Sequence, residues 1–175
     1  MSPAGTALLP TPVGPLAVVV DTDGTVLASG FTGLPDLLRR RGLPADTPPA
    51  PPEAVAVAAA ALGRYLAGDL AALDDVRVDQ PGTAFQQRVW TALRAVPAGC
   101  PVTYAELGAA AGASPGAARA IGQVCRRNLA APFVPCHRVL PTGGGVGGYA
   151  YGADVKRRLL AHEGAGRTGR PEQPA

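Results

Sequence analysis

Five prolines in nine residues, Pro44 to Pro52, constrain the fold of this chain more than any other stretch. Proline fixes φ and has no N–H, so Pro44-Ala45-Asp46-Thr47-Pro48-Pro49-Ala50-Pro51-Pro52 can continue neither a helix nor a central strand. It predicts a stiff, polyproline-like surface connection rather than a folded element. A β-meander precedes it over residues 4–31. Leu16-Ala17-Val18-Val19-Val20 is a short apolar run, Asp21-Thr22-Asp23-Gly24 a turn, and Thr25-Val26-Leu27-Ala28 the return, with Thr11-Pro12-Val13-Gly14-Pro15 as a tight connection ahead. Leu34 to Arg41 predicts a short helix stopped by Gly42. An alanine-rich helix, Glu53 to Ala67, ends at Gly68. No recognisable chemistry is carried by these first eighty residues, which read as scaffold.

With 47% hydrophobic residues over 175 positions the chain can bury a real core and is not a disordered one. The net charge of +3 allows a polyanionic partner without demanding one. Three cysteines, Cys100, Cys125 and Cys136, show no framework spacing, which argues against a secreted disulfide scaffold. There is no CxxC pair, and the two histidines are His137 and His162, so no metal site is expected. No charged-then-apolar leader opens the sequence and no apolar run reaches membrane-spanning length, so a cytoplasmic protein without membrane contact is expected.

Composition shifts at Gln80-Pro81-Gly82, the expected boundary between a first domain, 1–80, and a second, 81–165, with 166–175 expected as a disordered tail. Thr83 can cap a helix running to about Val96, with Phe85, Val89 and Leu93 on one face and Trp90 beside them as core. Thr103-Tyr104-Ala105-Glu106 is a capping box, and the helix it starts ends near Gly112. Ser114-Pro115 predicts the next start, a cap followed by proline at the first helical position. Two short helices joined by a glycine-containing turn make a helix-turn-helix. In the second, Pro115 to Arg127, Ala117, Ala118, Ala120 and Gly122 offer little bulk, so its backbone can press against another helix or nucleic acid. Arg119 stands on that low surface, and Arg126 and Arg127 can meet phosphates. Gly143 to Tyr149 is a glycine-dense loop without the residue order of a phosphate loop, suited to close backbone approach to a flat ligand. A last helix spans Asp154 to Glu163.

The chemistry is concentrated in Phe133-Val134-Pro135-Cys136-His137-Arg138-Val139. An imidazole can take a thiol proton, and the thiolate is the reactive species. Adjacency in sequence does not by itself bring the two groups within reach; a water or a turn must bridge them.

Taken together, residues 83–163 resemble the O6-alkylguanine-DNA alkyltransferases, the direct-reversal DNA repair proteins. The matching pieces are Thr83-Ala84-Phe85-Gln86, Val89-Trp90, Thr103-Tyr104, Arg119-Ala120-Ile121-Gly122, Asn128, Pro135-Cys136-His137-Arg138-Val139, Gly147-Gly148-Tyr149 and Lys156 through Glu163. The resemblance implies a mixed α/β fold. A ribonuclease-H-like domain with a three-stranded antiparallel sheet would join a mostly helical, winged-helix-like domain. It also implies roles. Cys136 would accept the alkyl group, His137 would take its proton through a water, and Glu163 would orient the imidazole. Asn128 would hold the turns around the site, and Tyr104 would give a proton to the departing guanine. Arg119 would fill the gap left by a flipped nucleotide, with Ser114, Ala118, Gly122 and Arg126 meeting DNA in the minor groove. Val139, Tyr149, Ala150 and Tyr151 would form the substrate pocket. The partner would be double-stranded DNA carrying O6-alkylguanine, or O4-alkylthymine, bound by a monomer with no cofactor.

Three positions depart from the family pattern. Leu129 replaces the proline common after the asparagine, which predicts a less rigid loop. Ala150 replaces a small residue that often carries a hydroxyl. Tyr151 stands where glycine is common and is expected to narrow the pocket against bulky benzyl-type adducts. Three rival readings remain. An alkyltransferase-like lesion binder keeps the fold but lacks the nucleophile; a cysteine hydrolase leaves the helix-turn-helix unexplained; a regulatory fusion needs more cysteines. Cys100 and Cys125 have no adjacent base and read as structural.

Overall fold

The computed structural model describes residues 3–164, so the expected disordered tail, 166–175, lies outside the described residues. Strands β1 (Pro3–Leu9), β2 (Leu16–Asp21) and β3 (Val26–Gly30) form an antiparallel meander in that order. Every residue of β2 is buried because the central strand is covered on both faces, which explains its unbroken apolar run. Leu16, Val18 and Val20 face the core shared with helix α2 (Pro52–Leu66). Ala17 and Val19 face Leu37 and Leu38 of helix α1 (Leu34–Arg41), which ends at Gly42 in the left-handed conformation.

The proline stretch is more than a surface connection. Thr6 N–H donates to Pro48 O at 2.8 Å, and Ala50 N–H donates to Thr6 O at 2.8 Å. The segment thus forms a bridge along β1, using a carbonyl and an N–H on either side of Pro49, which has none to give. Pro52 then opens α2 at a position whose N–H is an orphan in any helix.

The second half comprises α3 (Ala84–Arg94), β4 (Val102–Thr103), α4 (Tyr104–Ala110), α5 (Ala118–Arg126), β5 (Val139–Leu140) and α6 (Ala153–His162). The capping box of Thr103 with Glu106 forms, and the cap expected at Thr83 is itself a capping box, with Gln86. Val89, Trp90 and Leu93 are core. The start expected at Ser114 is corrected: α5 begins at Ala118, and Ser114 caps nothing. Gly116 takes φ +88°, which no helix accommodates, so 114–117 is a turn closed by Ala117 N–H to Ser114 O at 3.2 Å. Helices α4 and α5 still pack as a pair. A Cβ at Gly108 would lie 3.3 Å from Ile121 Cγ1, so glycine there permits the close approach.

Packing crosses the sequence boundary near Gln80. Phe133 and Leu159 complete the first core, against α2 and β2; burying a ring such as Phe133 stabilises by about 1.5–3 kcal/mol. Ser29 of β3 donates from N to Leu129 O at 2.6 Å and from Oγ to Ala131 O at 2.8 Å, so the chain leading to Cys136 lies along the sheet's edge.

Candidate active site

Two short elements bring the parts of the site together. Cys136–Arg138 form a 3₁₀ turn that leads directly into β5, and β5 pairs in parallel with β4, Val102 opposite Val139 and Thr103 opposite Leu140. Tyr104, the first residue of α4, thereby reaches the same cavity as Cys136. That cavity, about 780 Å³, is walled by Tyr104, by Ala118, Arg119, Gly122 and Arg126 of α5, and by Gly148, Tyr149 and Ala150 of the glycine-dense loop. Cys136 lies at its base, 8% exposed.

Asn128 holds the thiol. Its Nδ2 donates to Cys136 Sγ at 3.2 Å and to Val134 O at 2.8 Å, while its Oδ1 accepts from Ala130 N at 3.0 Å. Burial pushes the Cys136 thiol up, and the Asn128 hydrogen bond and the Lys156 charge draw it part of the way back. Lys156, itself buried, donates to Val139 O at 2.7 Å and Gly148 O at 3.2 Å, tying the glycine-dense loop to β5.

Behind the cysteine, His137 Nε2 donates to Glu163 Oε1 at 2.8 Å with both side chains fully buried. That bond sets the tautomer: Nδ1 keeps its lone pair, and it is a buried atom with no hydrogen-bond partner among the described residues. Arg138 donates from Nη2 to Glu163 Oε1 at 2.9 Å and from Nε to Oε2 at 3.1 Å. Burial pushes the Glu163 carboxyl up, but the hydrogen bonds from His137 and Arg138 and the Arg138 charge outweigh it and hold the group at about 2. Burial likewise pushes the His137 pKa down, against the pull of Glu163. With Arg138 already neutralising the carboxylate, the ring is a neutral base.

Sequence reasoning assigned no role to Arg138 and none to Tyr65, whose hydroxyl donates to Glu163 Oε1 at 2.8 Å from the far half of the chain. Neither Tyr65 nor its partner carries a local pattern that would announce a pairing across 98 positions. Cys125 also lines the cavity, and burial pushes its thiol up to about 12.

Two expected pocket residues, Val139 and Tyr151, and one expected DNA contact, Ser114, do not line the cavity. Val139 is core beneath the site, and Ser114 is off the cavity wall. Tyr151 does not itself line the cavity; its ring packs edge-on against Tyr149 of the cavity wall, with centroids 5.4 Å apart, and its hydroxyl reaches the first half. Gly30 leaves the space, since a Cβ there would overlap the Tyr151 hydroxyl, and Arg40 Nη1 donates to that hydroxyl at 3.3 Å with its guanidinium 5.7 Å from the ring centroid. Phe31 meets the same ring edge-on at 6.1 Å. Leu129, where a less rigid loop is expected, is tied at both backbone groups. Its N–H, which a proline would lack, donates to Gln80 Oε1 at 2.9 Å, and its carbonyl accepts from Ser29. Among the described residues no three metal-ligating side chains come together.

The chain's similarities agree with this geometry. Residues 84–165 match the family model of the 6-O-methylguanine DNA methyltransferase DNA-binding domain. A methylated-DNA--protein-cysteine methyltransferase of Salmonella typhimurium is 47% identical over 103 residues, 59% of this chain and 60% of that protein. The alignment therefore spans less than two thirds of the Salmonella protein. One of the same name from Methanosarcina acetivorans is 35% identical over 159 residues, 91% of this chain and 97% of that protein. The OGT of Mycobacterium tuberculosis, solved in complex with DNA, superposes with a TM-score of 0.72 at 35% identity, covering 89% of this chain and 90% of that one.

Proposed function

The chain belongs to the family of methylated-DNA--protein-cysteine methyltransferases, and we propose that it repairs DNA by moving an alkyl group from the O6 of guanine to Cys136. The observation that carries this reading is the shared cavity. One buried thiol, one tyrosine and two arginines converge on a space large enough for a purine, and an imidazole held by a carboxylate is buried next to the thiol in sequence.

The partner is DNA, engaged by the second part of the chain, 81–165, through the minor groove, while 1–80 braces it. Ala118 and Gly122 let α5 approach closely, Arg126 meets phosphate and Arg119 fills the stack. The alkylated base leaves the duplex, at a cost of about a few kcal/mol, because its oxygen is unreachable inside the stack. The thiol proton passes through a bridging water to His137 Nδ1, and the Glu163 carboxylate balances the resulting charge, while Arg138 holds that carboxylate in place. The sulfur then attacks the alkyl carbon. A carbon–sulfur bond forms as the carbon–oxygen bond breaks, and the electron pair stays on the base. Tyr104, whose hydroxyl is kept protonated by burial, gives the base its proton so that guanine leaves neutral. The same steps serve O4-alkylthymine. The product is a thioether, which water does not displace, so each monomer acts once. No metal or cofactor enters these steps.

Duplex DNA carrying O6-methylguanine, mixed with the protein and read by intact and peptide mass spectrometry, tests the reading. One methyl per chain, on the Cys136 peptide and absent in Cys136→Ser, is the expected result. Tight lesion-selective binding without an adduct would make the chain a lesion sensor instead.

A further inference from the structure

We propose that Gln80 is a positioning residue for Cys136, acting through Asn128; the inference rests on the reading of Cys136 as the nucleophile. Gln80 looks like linker in the sequence, between Asp79 and Pro81. In the structure it is 5% exposed and every polar atom of its carboxamide is used inward. Its Oε1 accepts from Leu129 N–H at 2.9 Å and its Nε2 donates to Asn128 Oδ1 at 3.0 Å. Its own carbonyl accepts from Gln87 Nε2 at 2.8 Å, which anchors the backbone to α3.

The polarity of this chain of bonds is fixed without choice. A backbone N–H can only donate, so Leu129 dictates that Oε1 of Gln80 points toward it, and Nε2 must then face Asn128. Asn128 therefore offers Oδ1 to Gln80. Its Nδ2 is left to face Cys136 Sγ, an orientation that Ala130 N–H and Val134 O enforce from the other side. Four groups run in series: Leu129 N–H, Gln80, Asn128 and the sulfur. Each donation polarises the next amide, so a second donor on Asn128 Oδ1 strengthens the Nδ2–H that steadies the thiolate. An amide that merely filled the seam would need no such alignment with the sulfur.

The test reads the thiol itself and needs no DNA. Gln80→Met keeps the length and bulk but leaves Asn128 Oδ1 with one donor fewer. Iodoacetamide labelling followed by peptide mass spectrometry, from pH 6 to 10, gives the rate at Cys136 and, as an internal reference, at Cys125. The expected result is an alkylation rate at Cys136 about threefold to tenfold lower near pH 7.5, the change made by up to about one unit in thiol pKa. Cys125 should be unchanged. In an Asn128→Ala background, Gln80→Met should add no further loss, because its route to the sulfur is already cut. A looser fold gives the opposite sign, since opening exposes the buried Cys136 and the half-buried Cys125 further and speeds both. If Gln80→Met fails to fold, Gln80→Met with Leu129→Pro, which removes the orphaned N–H without restoring the donor to Asn128, is measured in the same way. Unchanged or faster labelling of Cys136, or losses that multiply with Asn128→Ala, would overturn the proposal. A wild-type protein that takes no methyl from DNA would instead overturn the reading of function and leave this labelling cycle intact.

Discussion

The Tyr65 hydroxyl donates to Glu163 Oε1 at 2.8 Å, so a residue of α2 reaches across 98 positions to the carboxylate that holds the site's histidine. Its ring is fully buried, and His162 meets that ring at a centroid distance of 4.9 Å. Removing the hydroxyl leaves Glu163 with His137 and Arg138 as donors. Tyr65→Phe should therefore cost about 1.5 kcal/mol, the low end for a hydrogen bond to a charged group. Methyl transfer should stay within about threefold of wild type, since His137 Nε2 keeps its acceptor. Urea unfolding and single-turnover transfer measure the two effects. A Tyr65→Phe protein as slow as Glu163→Gln would mean that the hydroxyl, not Arg138, sustains the carboxylate's charge.

Acid should weaken the fold in two stages. Folded His137 is neutral because burial pushes its pKa below the ordinary 6.5. Below that pH the unfolded chain binds a proton that the folded chain refuses, so stability falls as pH drops, with a limiting slope of about 1.4 kcal/mol per unit. Glu163 takes over at lower pH. Its carboxyl sits at about 2 against an ordinary 4.5, so its stabilisation is complete above 4.5 and is lost on descending toward 2. Urea midpoints should begin to fall near pH 6.5, and His137→Gln should flatten the first stage only. A wild-type midpoint that holds level from 6.5 to 4.5 would show that His137 is charged in the fold.

Gly30 and Tyr151 should behave as a coupled pair. The Gly30 φ is not in the left-handed region, so alanine there is strained only by what it meets, which is the Tyr151 ring. Gly30→Ala should destabilise by about 1–3 kcal/mol, the usual cost of overpacking. In a Tyr151→Ala background the same change should cost almost nothing. The ratio of methyl to benzyl transfer should be unaltered in Tyr151→Phe, because the ring stays and the lost hydroxyl is held by Arg40 rather than by a residue lining the cavity. Independent costs in the double mutant would place Tyr151 elsewhere.

What could be read in advance was local. The capping boxes of Thr83 and Thr103 lie within four residues of the groups they satisfy, so sequence spacing alone specifies them. The same local logic misplaced the start of α5, because Ser114-Pro115 is a good cap and Gly116, one step later, takes a backbone angle that ends the argument. Cys136, His137 and Asn128 stood out only as an ordered set within a known pattern. Tyr65, Gln80 and Arg40 did not stand out at all. Each acts through a partner 98, 48 or 111 positions away, and a contact set by tertiary packing leaves no periodicity on the chain. The departures from the pattern were visible but their consequences were not. Leu129 suggested slack, yet its N–H is what Gln80 holds.

The two arginines on the cavity wall should separate by salt and by base extrusion. Arg126 sits at the end of α5, where, on the proposed docking of α5 in a groove, its side chain would reach the duplex backbone. Arg119 is the second residue of the helix, beside Ala118. If Arg126 neutralises one phosphate, Arg126→Ala should lower the slope of log affinity against log salt by about 0.9, equally for lesion and intact duplexes. Arg119→Ala should act mainly on the flipped state. A 2-aminopurine placed opposite or beside the lesion brightens when its stack is broken, and that brightening should fall in amplitude or rate in Arg119→Ala while the salt slope changes less than in Arg126→Ala. The opposite pattern, with Arg119 setting the slope and Arg126 the brightening, would mean that α5 lies in the groove with its ends exchanged.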